Sequence, residues 1–140
     1  MIDRELVDEL DSVSLLVGGV DRLPLDIAHM YVQGLANEHV VDSSILWWWK
    51  SLKGPALTIN YGDGDGLALV AEILGDRRDA RLVVSDDSGL PWPVYSGDVK
   101  KILEVLRRVY FFEYILAAHD MSWVVFDTHS NELVIVGLSV

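Results

Sequence analysis

The carboxy-terminal part of the chain constrains the fold most. "YFFEYILAAH" (110–119), "MSWVVFDT" (121–128) and "ELVIVGLS" (132–139) are runs rich in β-branched and aromatic residues, the composition that suits a packed, pleated surface. The connections "DMS" and "HSN" are hairpin length, so the three runs are expected to pair as an antiparallel meander. Strict alternation places Glu113 with Phe111, Ile115 and Ala117, and Phe112, Tyr114 and Leu116 on the other face. Both faces are apolar, so periodicity leaves open which is covered. Either an aromatic face ringed by acids stays exposed, or helices cover one side and the N-terminal segment the other.

The residues upstream supply that cover. Ile2, Leu6 and Leu10 fall at helical spacing, with Asp3 and Glu5 in the favourable first turn of a helix over 2–10. After the Gly-Gly break in "LVGGVDRLP", "LPLDIAHMYVQGLAN" repeats apolar residues at Leu23, Ile27, Met30, Tyr31 and Leu35, with Pro24 near the first turn. "VDSSILWWWKSLKGP" opens on Asp42, Ser43 and Ser44, all competent caps, and closes at Gly54-Pro55 as a short third helix. On it Ile45, Trp48, Trp49 and Leu52 share a stripe, so Trp48 and Trp49 are expected in the core and Trp47 on another face.

From Pro55 the rhythm changes. "ALTINY" alternates as a strand, "DGDG" turns the chain, and "LALVAEIL" is a helix ending at Gly75. "ARLVVSD" is a strand, and the two prolines of "PWPVYSG" suggest an edge strand. Asp98 is placed to cap the amphipathic "VKKILEVLRRV". The expected architecture is a single α+β domain over 1–140, mostly helical in 1–54. Residues 55–140 hold two helices and a mainly antiparallel sheet of five to six strands with helices packed on one face.

Charge and composition exclude several functions. Twenty-two acidic residues against 11 basic ones give a net charge of −11, a field that repels nucleic acid and speeds encounter with a basic partner. The same charge also keeps a domain of 51% hydrophobic residues in solution. No stretch reaches the roughly 18 to 20 apolar residues of a membrane span. The acidic start "MIDRELVDELD" is not the pattern of a signal peptide. With no cysteine there is no thiolate nucleophile or metal site. A cytoplasmic protein without cofactors is the expectation.

No catalytic motif stands out. In "YGDGDGLALVAE", Asp63, Asp65, Gly66 and Glu72 match part of a calcium loop, but Tyr61 holds the first ligand position and the rest is helical. The plain reading is a Gly-rich turn with Asp65 capping a helix. His29, His39, His119 and His129 are scattered, with His119 and His129 at opposite ends of one hairpin, so no metal site is expected. Ser130 beside His129 lacks a triad context. The acid pairs Asp63-Asp65, Asp76-Asp79 and Asp86-Asp87 lie in turns, where Asp is favoured for backbone hydrogen bonding.

From Trp47 onward the chain resembles a family of small, uncharacterised bacterial proteins. The pattern is carried by Trp47, Trp49, Ser51, Leu52, Lys53 and Pro55, then Val94, Tyr95 and Gly97, then Phe112, Glu113, Tyr114 and Ile115. It closes on Trp123, Val124, Asp127, His129, Leu133 and Val134, with Ser130 where that family commonly shows a second histidine. In size, acidity and element order the chain is also similar to immunity proteins of bacterial toxin systems, including the SMI1/KNR4-like group. "LPLDIAHMYVQGL" is similar to that group's first helix. The resemblance implies an interaction domain that blocks a toxin by occupying its surface.

The residues therefore lead to a non-enzymatic domain whose partner is a protein, with a basic toxin domain the leading candidate. Trp47, Trp92 and Tyr95 are the expected anchors, and Asp63, Asp65, Asp86 and Asp87 the expected charge. The rivals are a small hydrolase or ligand-binding protein using Glu113, Trp123, Asp127 and His129 around a pocket, and a homodimer whose apolar sheet face pairs with itself.

Overall fold

The computed structural model describes residues 4–45, 47–85 and 92–138. Seven strands form one wholly antiparallel sheet in the order β1-β4-β3-β5-β6-β7-β2. They are β1 (Val20–Arg22), β2 (Leu57–Asn60), β3 (Asp79–Val83), β4 (Val94–Asp98), β5 (Tyr114–Ala118), β6 (Val124–Asp127) and β7 (Glu132–Val136). The helices are α1 (Arg4–Val17), α2 (Leu25–His39), α3 (Gly66–Leu74) and α4 (Val99–Arg108). The α+β architecture is as the sequence implies, with β5, β6 and β7 the expected meander.

Seven strands rather than five to six result from β1, three residues that follow Gly18 and Gly19. Both glycines sit at positive φ (80° and 79°), a conformation they adopt without a Cβ penalty. They reverse the chain so that Val20–Arg22 pairs with β4. That makes β4 an interior strand instead of the expected edge, with β3 on its other side. Its prolines do not block this, because the ladder begins at Val94, after Pro93.

The two faces bury separate cores. Leu6 and Leu10 of α1, Val70 and Leu74 of α3 and the apolar stripe of α4 pack on the face that carries Leu82, Tyr95, Tyr114, Leu116 and Val125. The other face, with Val83, Val94, Ile115, Ala117 and Phe126, lies under Tyr31, Val32 and Leu35 of α2 and under Trp48. Helices cover both sides, α1, α3 and α4 on one and α2 with the tryptophan loop on the other, which explains why the strands are apolar on both faces.

The expected third helix over the tryptophan run is replaced by a loop with one 3-10 turn, Trp48–Lys50. Asp42 does not cap a helix. Its carboxylate accepts from the Ser44 backbone N–H at 3.0 Å and from the Ser44 hydroxyl at 2.5 Å, closing a local turn. The chain then doubles back, with Val41 N–H donating to Ser51 O and Lys53 N–H to His39 O. This loop drives Trp48 into the core against Trp92, their rings 4.8 Å apart, and the Trp48 indole N–H donates to Ser43 O.

Candidate functional site

Three segments meet at one end of the sheet: residues 110–113 before β5, the turn 128–131 between β6 and β7, and the loop 61–66 between β2 and α3. The ladder dictates this, since Tyr114 opposes Asp127, Asp127 opposes Leu133, and Asn60 opposes Glu132. The β6–β7 turn is tight: Thr128 Oγ1 accepts from Ser130 N–H, and Asn131 takes a left-handed conformation (φ 56°) that its short polar side chain tolerates. Asn131 O in turn accepts from Tyr61 N–H and pins the neighbouring loop.

On the α2 side of this end, His129 Nδ1 lies 2.5 Å from Glu113 Oε1. Both side chains are partly exposed. The His129 ring sits 5.0 Å from Trp47 and 6.0 Å from Trp49. Lys50 Nζ stands 4.7 Å from the centre of the Trp47 ring, within cation–π range. Trp47 is 37% exposed and Trp48 1% exposed. Trp49 is half-buried, with its ring 6.3 Å from Phe126, so it belongs only partly to the core.

On the α3–α4 side, Asp127 is buried and the Tyr61 hydroxyl donates to its Oδ1 at 2.6 Å. Burial raises the Asp127 carboxyl above its ordinary range and the nearby Glu113 charge adds to that, against the lowering influence of Tyr61 and Tyr114. Burial likewise pushes the Tyr61 and Tyr114 hydroxyls well up. The Tyr114 hydroxyl stands close enough to Asp127 to feel its charge and to lower its carboxyl, though without full hydrogen-bond geometry to any described group. Two open clefts reach this carboxylate, of about 170 Å³ and about 350 Å³, and Leu67 and Phe111 line both. Tyr110 and Phe111 are exposed at the mouth. Phe111 does not share the face of Ile115 as alternation suggests, because β5 begins only at Tyr114 and the preceding residues are free of the ladder.

Of the expected anchors, Trp47 alone is at the surface. Trp92 and Tyr95 are buried, which corrects their assignment as exposed anchors. Trp92 packs on Trp48, and Tyr95, on an interior strand, donates to Asp11 Oδ1 at 2.7 Å. Asp63 and Asp65 are exposed in the loop 61–66. Asp65 caps α3 by accepting from Ala68 N–H at 3.0 Å and also holds Arg107 at 3.0 Å. The Ala68 N–H first, and then Arg107, lower its carboxyl. Asp86 and Asp87 lie outside the described residues.

The rival pocket of Glu113, Trp123, Asp127 and His129 is not assembled. The ladder puts Asp127 on the Tyr114 face, opposite Ile115 and the α2 cover, while Glu113 and His129 meet beside Trp47 and Trp49. Trp123 is buried in the α3–α4 core next to the β5–β6 turn, four residues and roughly 13 Å of strand from Asp127. Among the described residues no group of three or more His, Asp or Glu side chains is placed to hold a metal ion. The expectation missed Tyr61, Tyr110 and the Asp127–Tyr114 pairing. Asp127, a carboxylate inside an apolar strand, was the available signal, since such a group needs a partner.

Comparison with family models, with curated proteins and with solved structures finds no match in any of the three.

Proposed function

We propose that this chain is a non-catalytic protein-binding domain that docks a basic partner on the end of the sheet built by 110–113, 128–131 and the tryptophan loop. The observation that carries this is the set of exposed rings at that end, Trp47 on the α2 side and Tyr110 and Phe111 on the α3–α4 side, with Glu113 and Asp63 on a chain of net charge −11. Large rigid rings supply contact energy at little entropic cost, and the negative field favours encounter with a cationic surface. The resemblance to immunity proteins makes a basic toxin domain the first partner to test, met in the cytoplasm.

The test is affinity capture from the native cell, followed by binding measurements on the captured protein. Trp47→Ala and Phe111→Ala are expected to weaken binding by about tenfold or more while leaving the domain folded. If the captured partner is a toxin, co-expression should relieve its toxicity. A partner that binds both variants as tightly as the unaltered chain refutes this surface.

The Glu113–His129 contact favours the second reading, a small-ligand or hydrolytic site. Asp127 and Trp123 do not join it, so it would have to act with the tryptophan rings alone. Homodimerisation through this end is the third outcome, read from the mass in solution.

A further inference from the structure

The cleft that ends on Asp127 has the chemistry of a receptor for a compact cation. Its floor is a buried carboxylate with no cation beside it among the described residues, and buried charges are normally paired. The Tyr61 hydroxyl engages Oδ1 only. Tyr114, 3% exposed, lines the same cleft, and its hydroxyl, next to Asp127, makes no hydrogen bond of full geometry among the described residues. An unmade hydrogen bond of this kind is costly to leave in a native structure, and its position marks where a polar group belongs.

The remaining walls are mostly apolar, Leu67, Leu106, Val109, Phe111 and Phe112, with Tyr110 at the mouth. Arg107 stands at the rim, and Asp65 holds its guanidinium through contacts of 3.0 and 3.2 Å, so it is not the counter-ion of Asp127. Asp63 and Glu113 keep the surroundings negative.

We infer that this cleft takes a primary alkylammonium group. The ammonium would sit against the Asp127 carboxylate beside the Tyr114 hydroxyl, with its alkyl stem along Leu106, Val109 and Phe112. A primary ammonium is a compact charge with three N–H donors, and here it meets a carboxylate and an unpartnered hydroxyl oxygen. A guanidinium is planar with five donors in a fixed fork, and the apolar walls offer too few acceptors for it. The cleft, about 170 Å³, is below the several hundred Å³ of a drug-sized site and suits a short stem. The source is a free amine or a lysine side chain presented by a protein.

The test uses the whole chain with no partner present, so its failure and failure of the docking proposal are separately visible. Amide chemical shifts are followed while n-butylammonium chloride is added at constant ionic strength, with n-butanol and n-butyltrimethylammonium in parallel. Butylammonium is expected to give saturable shifts centred on Leu67, Leu106, Phe111 and Tyr114, with butanol and the quaternary amine about tenfold weaker or worse. Asp127→Asn should weaken butylammonium by about tenfold. Tyr114→Phe, which keeps the ring, should weaken it several-fold and serves if the first variant does not fold. Shifts that never saturate, equal binding of butanol, or full affinity in both variants overturns the inference. Nα-acetyl-lysine methylamide binding more tightly than butylammonium assigns the site to a protein lysine. Equal or weaker binding assigns it to a free amine.

Discussion

At the scale of single residues, Asp127 is the group whose chemistry is most at odds with its surroundings. Its carboxyl titrates above the ordinary range because it is buried, so in the window between the unfolded and folded values the native state binds more protons than the unfolded one. Stability due to this group is therefore full below the unfolded value near pH 4 and falls as pH rises through the folded value. Asn at this position keeps an acceptor for the Tyr61 hydroxyl and removes the buried charge. Asp127→Asn is expected to melt at or above the temperature of the unaltered protein at pH 7, with the difference closing toward pH 4. A lower melting temperature at pH 7 would mean that the charge is compensated in the native state. The tryptophans offer a sharper contrast. Trp48 is 1% exposed against Trp92 and α2, so Trp48→Ala should cost about 3–5 kcal/mol. Trp47 is 37% exposed, so Trp47→Ala should lower the midpoint of urea unfolding far less. Equal losses would place Trp47 in the core. Helical spacing identifies Trp48 and Trp49 as buried rings and Trp47 as the exposed one; Trp49 is only half-buried, and no α-helix forms there. The chain doubles back instead, through Val41 N–H to Ser51 O and Lys53 N–H to His39 O, long-range pairings that apolar periodicity does not register.

At the scale of elements, local signals were legible and neighbour relations much less so. Asp65 and Asp98 were readable as caps, and both accept from backbone N–H groups at the start of their helices, Ala68 and Lys100. The meander was readable because its turns are too short for any other pairing. β1 was not, because three residues carry no periodicity and its existence depends on β4 offering an unpaired edge. The buried anchors have separate causes: α1 covers Tyr95 on the now interior β4, and Trp48 covers Trp92 on the opposite face. Two substitutions test how far the elements depend on single positions. Asp98→Ala removes the acceptor for Lys100 N–H and should cost about 1 kcal/mol in urea unfolding without changing the fold. Gly137 sits at φ 81°, and an added Cβ would collide with the Ser122 carbonyl. Gly137→Ala should therefore cost clearly more than Asp98→Ala, from both strain and the displaced β5–β6 connection. Equal costs would show that the 121–123 segment yields freely.

At the scale of the whole molecule, charge and rings have separable roles. A net charge of −11 acts over a Debye length, about 10 Å at 0.1 M salt, on a partner that has not yet made contact. The rings act only after contact, in the desolvated centre of an interface. If the proposed surface docks a basic protein, the two contributions divide between association and dissociation. Raising ionic strength from about 0.02 M to about 0.5 M should slow association by roughly tenfold or more and change dissociation little. Trp47→Ala should speed dissociation and leave association nearly unaltered, since it removes no charge. Stopped-flow or surface-bound kinetics on the captured partner reads both. Association that ignores salt would mean the acidic field serves solubility alone, and the docking argument would then rest on the rings by themselves. Salt dependence with an unchanged dissociation rate in Trp47→Ala would instead move the contact away from the tryptophan loop, toward the α3–α4 side where Asp63 and Phe111 lie.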